Sequence, residues 1–123
     1  MQETRTLEND LYLYHCGEEA CAPAHRWRSV RDYYLFHYVI SGKGEAFFGS
    51  EAHSIQEGEG FLHVPGELSD YQADSKDPWH YLWIAFKGQK AAKYLEGIGL
   101  GPGRRIYRST DPKKTSQRLL HLI

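Results

Sequence analysis

The sequence predicts a mainly β domain, a barrel or sandwich of short strands, from three observations. Segments rich in aromatic and β-branched residues recur between residues 32 and 86. Turns that contain glycine or proline separate these segments about every 8–12 residues, a spacing typical of sandwiches and barrels. The chain has 123 residues, a length that fits one domain.

The predicted strands of this body cover residues 33–40, 45–48, 52–55, 61–64, 71–73 and 79–86. The first ends at a turn that contains Gly42 and Gly44, and the fourth ends at the Pro65-Gly66 pair. Because glycine and proline favour turns over continuous strands, these residues mark the strand ends. We expect the sheet to close on itself, since closure removes edge strands that would otherwise aggregate.

Two flanking segments complete the predicted domain organisation. Residues 1–31 are polar and irregular apart from a short strand at residues 11–14, and they are predicted to form an N-terminal arm on the barrel. The barrel itself is assigned to residues 32–88. Residues 89–123 are predicted to be helical and to begin a dimerisation or linker region.

The helical segment contains two predicted helices. The first covers residues 89–96 and stops at Gly97. The second begins at Asp111-Pro112, where aspartate is a favoured N-cap and proline suits the first helical position. Its apolar stripe reaches the last residue, Ile123, so we expect the chain to be a truncated piece of a longer protein.

The charge of the chain argues against direct contact with DNA. Fifteen basic and 16 acidic residues give a formal net charge of −1, whereas nucleic-acid binders usually present a basic face. No apolar run approaches the roughly 20 residues of a membrane span, and no signal-peptide pattern is present. We therefore expect a cytoplasmic protein with no membrane partner, in which Cys16 and Cys21 are reduced.

Four segments resemble the sensor domains of AraC-family transcription regulators. They are YLFHYVISGKG at residues 34–44, GEGFLHVPG at 58–66, YQAD at 71–74 and PWHYLWIAF at 78–86. The resemblance covers roughly residues 16–100. It implies a double-stranded β-helix, or cupin, barrel of the arabinose-binding type that binds a small effector and helps the regulator to form a homodimer. In the family, a C-terminal pair of helix-turn-helix motifs contacts DNA, and these motifs are expected to lie outside this chain.

The same resemblance predicts that the barrel has no metal site, no cofactor and no catalytic residues. Metal-binding cupins use histidine and glutamate ligands, and their positions fall on Leu35 and near Ser69 here. The alternative is a stand-alone cupin enzyme, such as a metal-dependent isomerase or oxygenase, and a further alternative is an interaction module without a ligand. Separately, Cys16, Cys21 and His25 have side chains that could bind zinc, or the cysteines could simply pack as small buried residues.

Strand alternation and the resemblance together predict the ligand-binding residues. Tyr81 and Trp83 share one face of their strand and offer flat rings with an O–H and an N–H group, which suits a sugar-like ligand. Positions that match Tyr71, Tyr81 and Trp83 contact the effector in sugar-responsive members of the family.

Three further residues are predicted to line the pocket. Leu35 and His37 have the strand parity that points inward, although His37 is equally well read as a neutral core histidine. Arg28 belongs to a basic run beside the barrel and could bind a carboxylate or hydroxyl group, with a surface ion pair as the alternative.

Overall fold

The structure, a computed structural model, describes residues 12–122 and consists of nine strands and two helices within that range. The strands are β1 (Tyr12–Ala20), β2 (Arg26–Val30), β3 (Tyr34–Ser41), β4 (Lys43–Phe48), β5 (Glu51–Gln56), β6 (Glu59–His63), β7 (Leu68–Ala73), β8 (His80–Lys87) and β9 (Ile106–Arg108). The helices are α1 (Ala91–Gly97) and α2 (Pro112–Leu122).

The strands form two antiparallel sheets that enclose the core. One sheet has the order β1-β8-β3-β6-β9, and the other has the order β2-β7-β4-β5. Within the described residues, consecutive strands lie in different sheets everywhere except at β4–β5 and β8–β9. Repeated crossing of this kind gives the double-stranded β-helix that the resemblance implied.

Strand β3 shows how alternation divides the side chains between two environments. Leu35, His37 and Val39 are buried between the sheets, as their parity predicted. Tyr34 and Phe36 lie on the opposite face, where they pack in a second cluster with Leu62, Leu95 of α1, and Leu100. A strand that is apolar on both faces is expected when one face meets the barrel core and the other meets a helix.

The N-terminal segment differs from the predicted arm. Residues 1–11 lie outside the described residues, but residues 12–20 form β1 and pair with β8 along their whole length. Residues 26–30 form β2 and pair with β7. Residues 12–20 and 26–30 therefore belong to the sheets. The polar sequence of β1 does not indicate a strand over its full length. Its strand conformation depends on backbone hydrogen bonds to β8, a strand that is distant in sequence.

The helices follow the prediction closely. Helix α1 starts two residues later than expected, and α2 begins at Pro112 as expected. The Asp111 carboxylate accepts a hydrogen bond of 3.2 Å from the backbone N–H of Lys114, as an N-cap should. The short strand β9 was not predicted from the sequence. Within the described residues, neither helix is long and apolar enough to span a membrane.

Candidate functional site

A cavity of about 350 Å3 lies inside the barrel between the two sheets. Both sheets contribute to its walls, and its nine lining side chains are His15, Glu19, Trp27, Arg31, Leu35, His37, Tyr71, Tyr81 and Trp83. Five of the six residues predicted to bind a ligand are in this set. A larger surface depression of about 550 Å3 beside β4 and β5 has no aromatic residue in its lining.

His37 lies at the centre of the aromatic part of this cavity and is 2% exposed. Its ring stacks on Phe61 at 4.7 Å and contacts Tyr71 at 4.4 Å and Tyr81 at 4.6 Å, measured between ring centroids. Burial, with smaller contributions from His63 and Arg31, holds the pKa of His37 well below its ordinary value. The ring is therefore neutral at pH 7, and its Nδ1 atom has no hydrogen-bond partner within the described residues.

Two tyrosines bring hydroxyl groups to the cavity. The Tyr81 hydroxyl donates to Oε1 of Glu19 across 3.3 Å. Burial raises the pKa of Tyr71 to about 12 and also raises the pKa of Tyr81. Both side chains therefore remain protonated phenols at neutral pH and can donate as well as accept hydrogen bonds.

Arg31 is the arginine of the cavity, and Arg28 is not among the lining residues. Nη1 of Arg31 is buried and has no partner in the part of the chain that the structure describes. Arg28 is instead 59% exposed and lies 3.5 Å from Asp70, to which Arg26 also donates two hydrogen bonds. Alternation along β2 explains the placement, because Arg26 and Arg28 point away from the cavity while Trp27 between them points into it.

Strand β1 supplies lining residues that sequence reasoning missed. His15 and Glu19 alternate with Gly17 on the inner face of β1, opposite Ala85, Tyr81 and Trp83 of β8. The indole N–H of Trp83 donates to Nδ1 of His15 at 3.1 Å. A period of two in these residues would have indicated their shared face, but only once residues 12–20 were known to form a strand.

The residues considered as metal ligands lie apart from this cavity or cannot bind metal. Cys21 is buried in the core, Cys16 is partly buried on β1, and the ring of His25 packs edge-on against Trp27 at 4.8 Å. Leu35 is an aliphatic wall of the cavity and Ser69 is a buried residue of β7. Among residues 12–122, no three His, Cys, Asp or Glu side chains form a group suited to a metal ion.

Comparison with known proteins identifies the family. Residues 12–123 match the sequence model of the AraC-like ligand binding domain. The chain belongs to this family. The resemblance found in its sequence motifs is confirmed, and the cavity lies in a domain of a ligand-binding family.

Two curated relatives of this AraC-like ligand-binding domain are operon regulators. The Msm operon regulatory protein of Streptococcus mutans serotype c is 36% identical over 93 residues, which are 74% of this chain and 33% of that protein. The raffinose operon transcriptional regulatory protein RafR of Pediococcus pentosaceus is 37% identical over 90 residues, 68% of this chain and 32% of that protein. The AraC-like domain thus spans about a third of the length of these regulators.

Two solved structures resemble the AraC-like domain in fold. A mutant of Bacillus subtilis oxalate decarboxylase OxdC aligns with 88% of this chain and 37% of its own, at 14% identity and a TM-score of 0.51. The Clostridium difficile EutQ protein aligns with 81% of this chain and 70% of its own, at 18% identity and a TM-score of 0.47. The two-sheet topology and the OxdC alignment confirm the predicted cupin fold.

Proposed function

We propose that this AraC-like domain binds a small neutral saccharide in the 350 Å3 cavity and that this binding is the input signal of a transcription regulator. The observation that carries the proposal is the composition of the cavity wall. Aromatic faces stand beside an arginine, a carboxylate and two phenol groups in one cavity.

The aromatic and polar groups of the wall match the two kinds of surface that a sugar presents. Sugar rings have apolar C–H faces that stack on aromatic rings, and Trp27 and Trp83 offer such faces from opposite sheets. Their hydroxyl groups need donors and acceptors, which Arg31, Glu19 and Tyr71 provide. The volume is near the lower end of the roughly 300–1,000 Å3 range of ligand pockets, which favours a ligand of one or two sugar units.

The charges of the wall favour a neutral ligand over a sugar acid. Arg31 and Glu19 contribute one positive and one negative group. An anionic ligand would gain from Arg31 but would place its charge near the Glu19 carboxylate, and like charges repel. A neutral polyol satisfies both groups, because its hydroxyls donate to the carboxylate and accept from the guanidinium.

The names of the two curated relatives support a saccharide as the effector. RafR is named for a raffinose operon, and both proteins are operon regulators. We infer that the intact protein regulates genes of sugar use, acts as a homodimer and binds DNA through a segment other than this domain. The formal net charge of −1 supports that division, because a DNA-contacting surface is usually basic.

We also propose that the domain is not an enzyme. The oxalate decarboxylase OxdC has a similar fold, but fold alone does not assign function. The inward position that a metal ligand would need carries Leu35, whose side chain has no donor atom. Elemental analysis of the purified protein tests this point, and a stoichiometric transition metal would contradict it.

Calorimetric titration of the purified domain tests the saccharide proposal. Raffinose, sucrose, galactose and arabinose form the neutral panel, and galacturonate is the anionic comparison. We expect saturable binding of at least one neutral sugar and weaker binding of galacturonate. Trp83→Ala should abolish binding, whereas the control Tyr94→Ala, which changes an exposed aromatic residue away from the cavity, should leave it unchanged. Binding that survives Trp83→Ala would contradict the proposed site.

A further inference from the structure

Two residues of β1, His15 and Gly17, contact the Trp83 indole. Nε1 of Trp83 donates to Nδ1 of His15 at 3.1 Å. A Cβ atom at Gly17 would lie 2.6 Å from the Cη2 and Cζ2 atoms of the same indole. The indole can therefore lie this close to β1 only because residue 17 is a glycine. A Cβ atom there would clash with the ring, since 2.6 Å is far shorter than a van der Waals contact.

The hydrogen bond to Trp83 also fixes the tautomer of His15. An indole N–H can only donate, so Nδ1 of His15 must be the unprotonated, accepting nitrogen. The proton of the neutral ring is then on Nε2, which lies 3.2 Å from the hydroxyl oxygen of Tyr33 and donates to it. A chain of hydrogen bonds therefore runs from Trp83 on β8 through β1 to the segment between β2 and β3.

These hydrogen bonds affect the orientation of the Trp83 ring more than the stability of the fold. His15 is exposed at the cavity mouth, and β1 is held to β8 by backbone pairing that does not involve its side chain. Trp83 is partly exposed and faces open space on one side, so packing alone leaves its ring more freedom than a core tryptophan has. A hydrogen bond to N–H and a flat contact at Gly17 remove that freedom.

We propose that His15 and Gly17 are positioning residues that pre-orient the Trp83 ring as the stacking platform for the effector. The proposal deepens the saccharide function proposed above and rests on it. A ring already held in its bound orientation loses little entropy when a sugar stacks on it, and pre-organisation of this kind increases affinity.

Three substitutions at His15 separate this role from a general structural one. Asparagine places an acceptor oxygen near the position of Nδ1, so His15→Asn should keep the bond to Trp83. Glutamine places its amide near the position of Nε2, so His15→Gln should keep the contact with Tyr33 and lose the one with Trp83. His15→Leu should lose both.

The first readout is the indole N–H signal of Trp83 in a 1H–15N spectrum of the ligand-free protein. The chain has three tryptophans, and Trp83→Phe assigns the signal. We expect it to move upfield and exchange faster with water in the leucine and glutamine variants, and to stay near its original position in the asparagine variant. Unchanged signals in the leucine variant would overturn the proposal.

The second readout is the dissociation constant of the saccharide found in the titration panel. We expect about three- to tenfold weaker binding for His15→Leu and His15→Gln, the size of one ordinary hydrogen bond, and recovery of most of the affinity in His15→Asn. Equal affinities in all three variants would overturn the proposal even if the indole signal moves.

A matched pair of glycine variants tests the second contact. Gly17→Ala should displace the indole and weaken binding, whereas Gly103→Ala should do neither, because a Cβ there meets no atom within 4 Å. If the unaltered protein binds no saccharide at all, the saccharide function fails, and the indole signal still decides the positioning role. A shifted Trp83 signal in His15→Leu and Gly17→Ala then supports it, and an unshifted one overturns it.

Discussion

Trp79, directly before β8, and Trp83, within β8, both face the barrel interior, yet their environments differ. Trp79 is 1% exposed, and its ring stacks on Phe61 with centroids 5.3 Å apart. Gly44 makes room for it, since a Cβ there would lie 2.5 Å from the Trp79 ring. Trp83 faces the cavity and is held by a hydrogen bond to His15.

The barrel interior has a packed side around Trp79 and an open side around Trp83. The Trp79 side is filled by aliphatic and aromatic side chains such as Val39, Ile55 and Phe61. In the cavity wall on the Trp83 side, Nη1 of Arg31 and Nδ1 of His37 are buried and have no hydrogen-bond partner among the described residues. Because unpaired buried polar atoms cost free energy, a ligand that pairs these two atoms would recover part of that cost.

The largest expected effect compares truncation of the two tryptophans. Trp79→Ala should lower the free energy of unfolding by about 3–5 kcal/mol, the cost of removing a large buried ring. Trp83→Ala should lower it by about 1–2 kcal/mol, because less of its surface is buried. Urea unfolding followed by circular dichroism measures both. Equal losses in the two variants would show that the open side contributes as much to stability as the packed one.

The next effect compares Arg31, which lines the cavity, with Arg28, which points away from it. Arg31→Met should weaken saccharide binding about 10- to 100-fold, because hydrogen bonds to a charged group are worth roughly 1.5–3 kcal/mol. Arg28→Met removes an exposed ion pair to Asp70, and such pairs contribute about 0–1 kcal/mol to stability. The saccharide affinity of the Arg28→Met variant should stay within twofold of the unaltered protein. Titration calorimetry would contradict this assignment if the two variants lost affinity equally.

The smallest effect is a pH dependence of stability. Burial lowers the pKa of both His37 and His63 from 6.5. The unfolded chain therefore takes up protons below about pH 6.5 that the folded protein does not, and stability is highest above that pH. It should fall as the pH decreases, by up to about 1.4 kcal/mol per pH unit for each histidine.

A variant separates His37 from the other titrating groups in this profile. His37→Phe keeps a ring against Phe61 and removes one titration, so the slope of stability between pH 6.5 and 5.5 should decrease. Asp70, whose pKa is lowered first by its hydrogen bond from Arg26, affects stability only near and below its ordinary pKa of 3.8. Urea unfolding at three pH values checks this, and an unchanged slope would mean that His37 is accessible to protons in the folded state.

Several parts of the site could be predicted because they depend on local alternation. Leu35, His37, Tyr81 and Trp83 lie in long strands with aromatic or β-branched residues, and a period of two assigns their faces directly. Asp111 and the proline after it mark the start of α2 by local chemistry that needs no tertiary partner.

Other parts depended on neighbours that are distant in sequence. Strand β1 has the polar sequence YLYHCGEEA, whose strand conformation comes from pairing with β8, about 60 to 75 residues away. The choice between Arg28 and Arg31 as the cavity arginine depended on where β2 begins and ends. Strand β9, of three residues, exists because β6 offers it an edge.

The sequence by itself determined the β class, the family and the inward-facing set of β3 and β8, because turn residues and strand alternation are local properties. Only the tertiary structure decided that residues 12–20 are a strand and that His15, Glu19, Trp27 and Arg31 complete the cavity. It also decided the different roles of Trp79 and Trp83. What distinguishes them is the space on the far side of each ring.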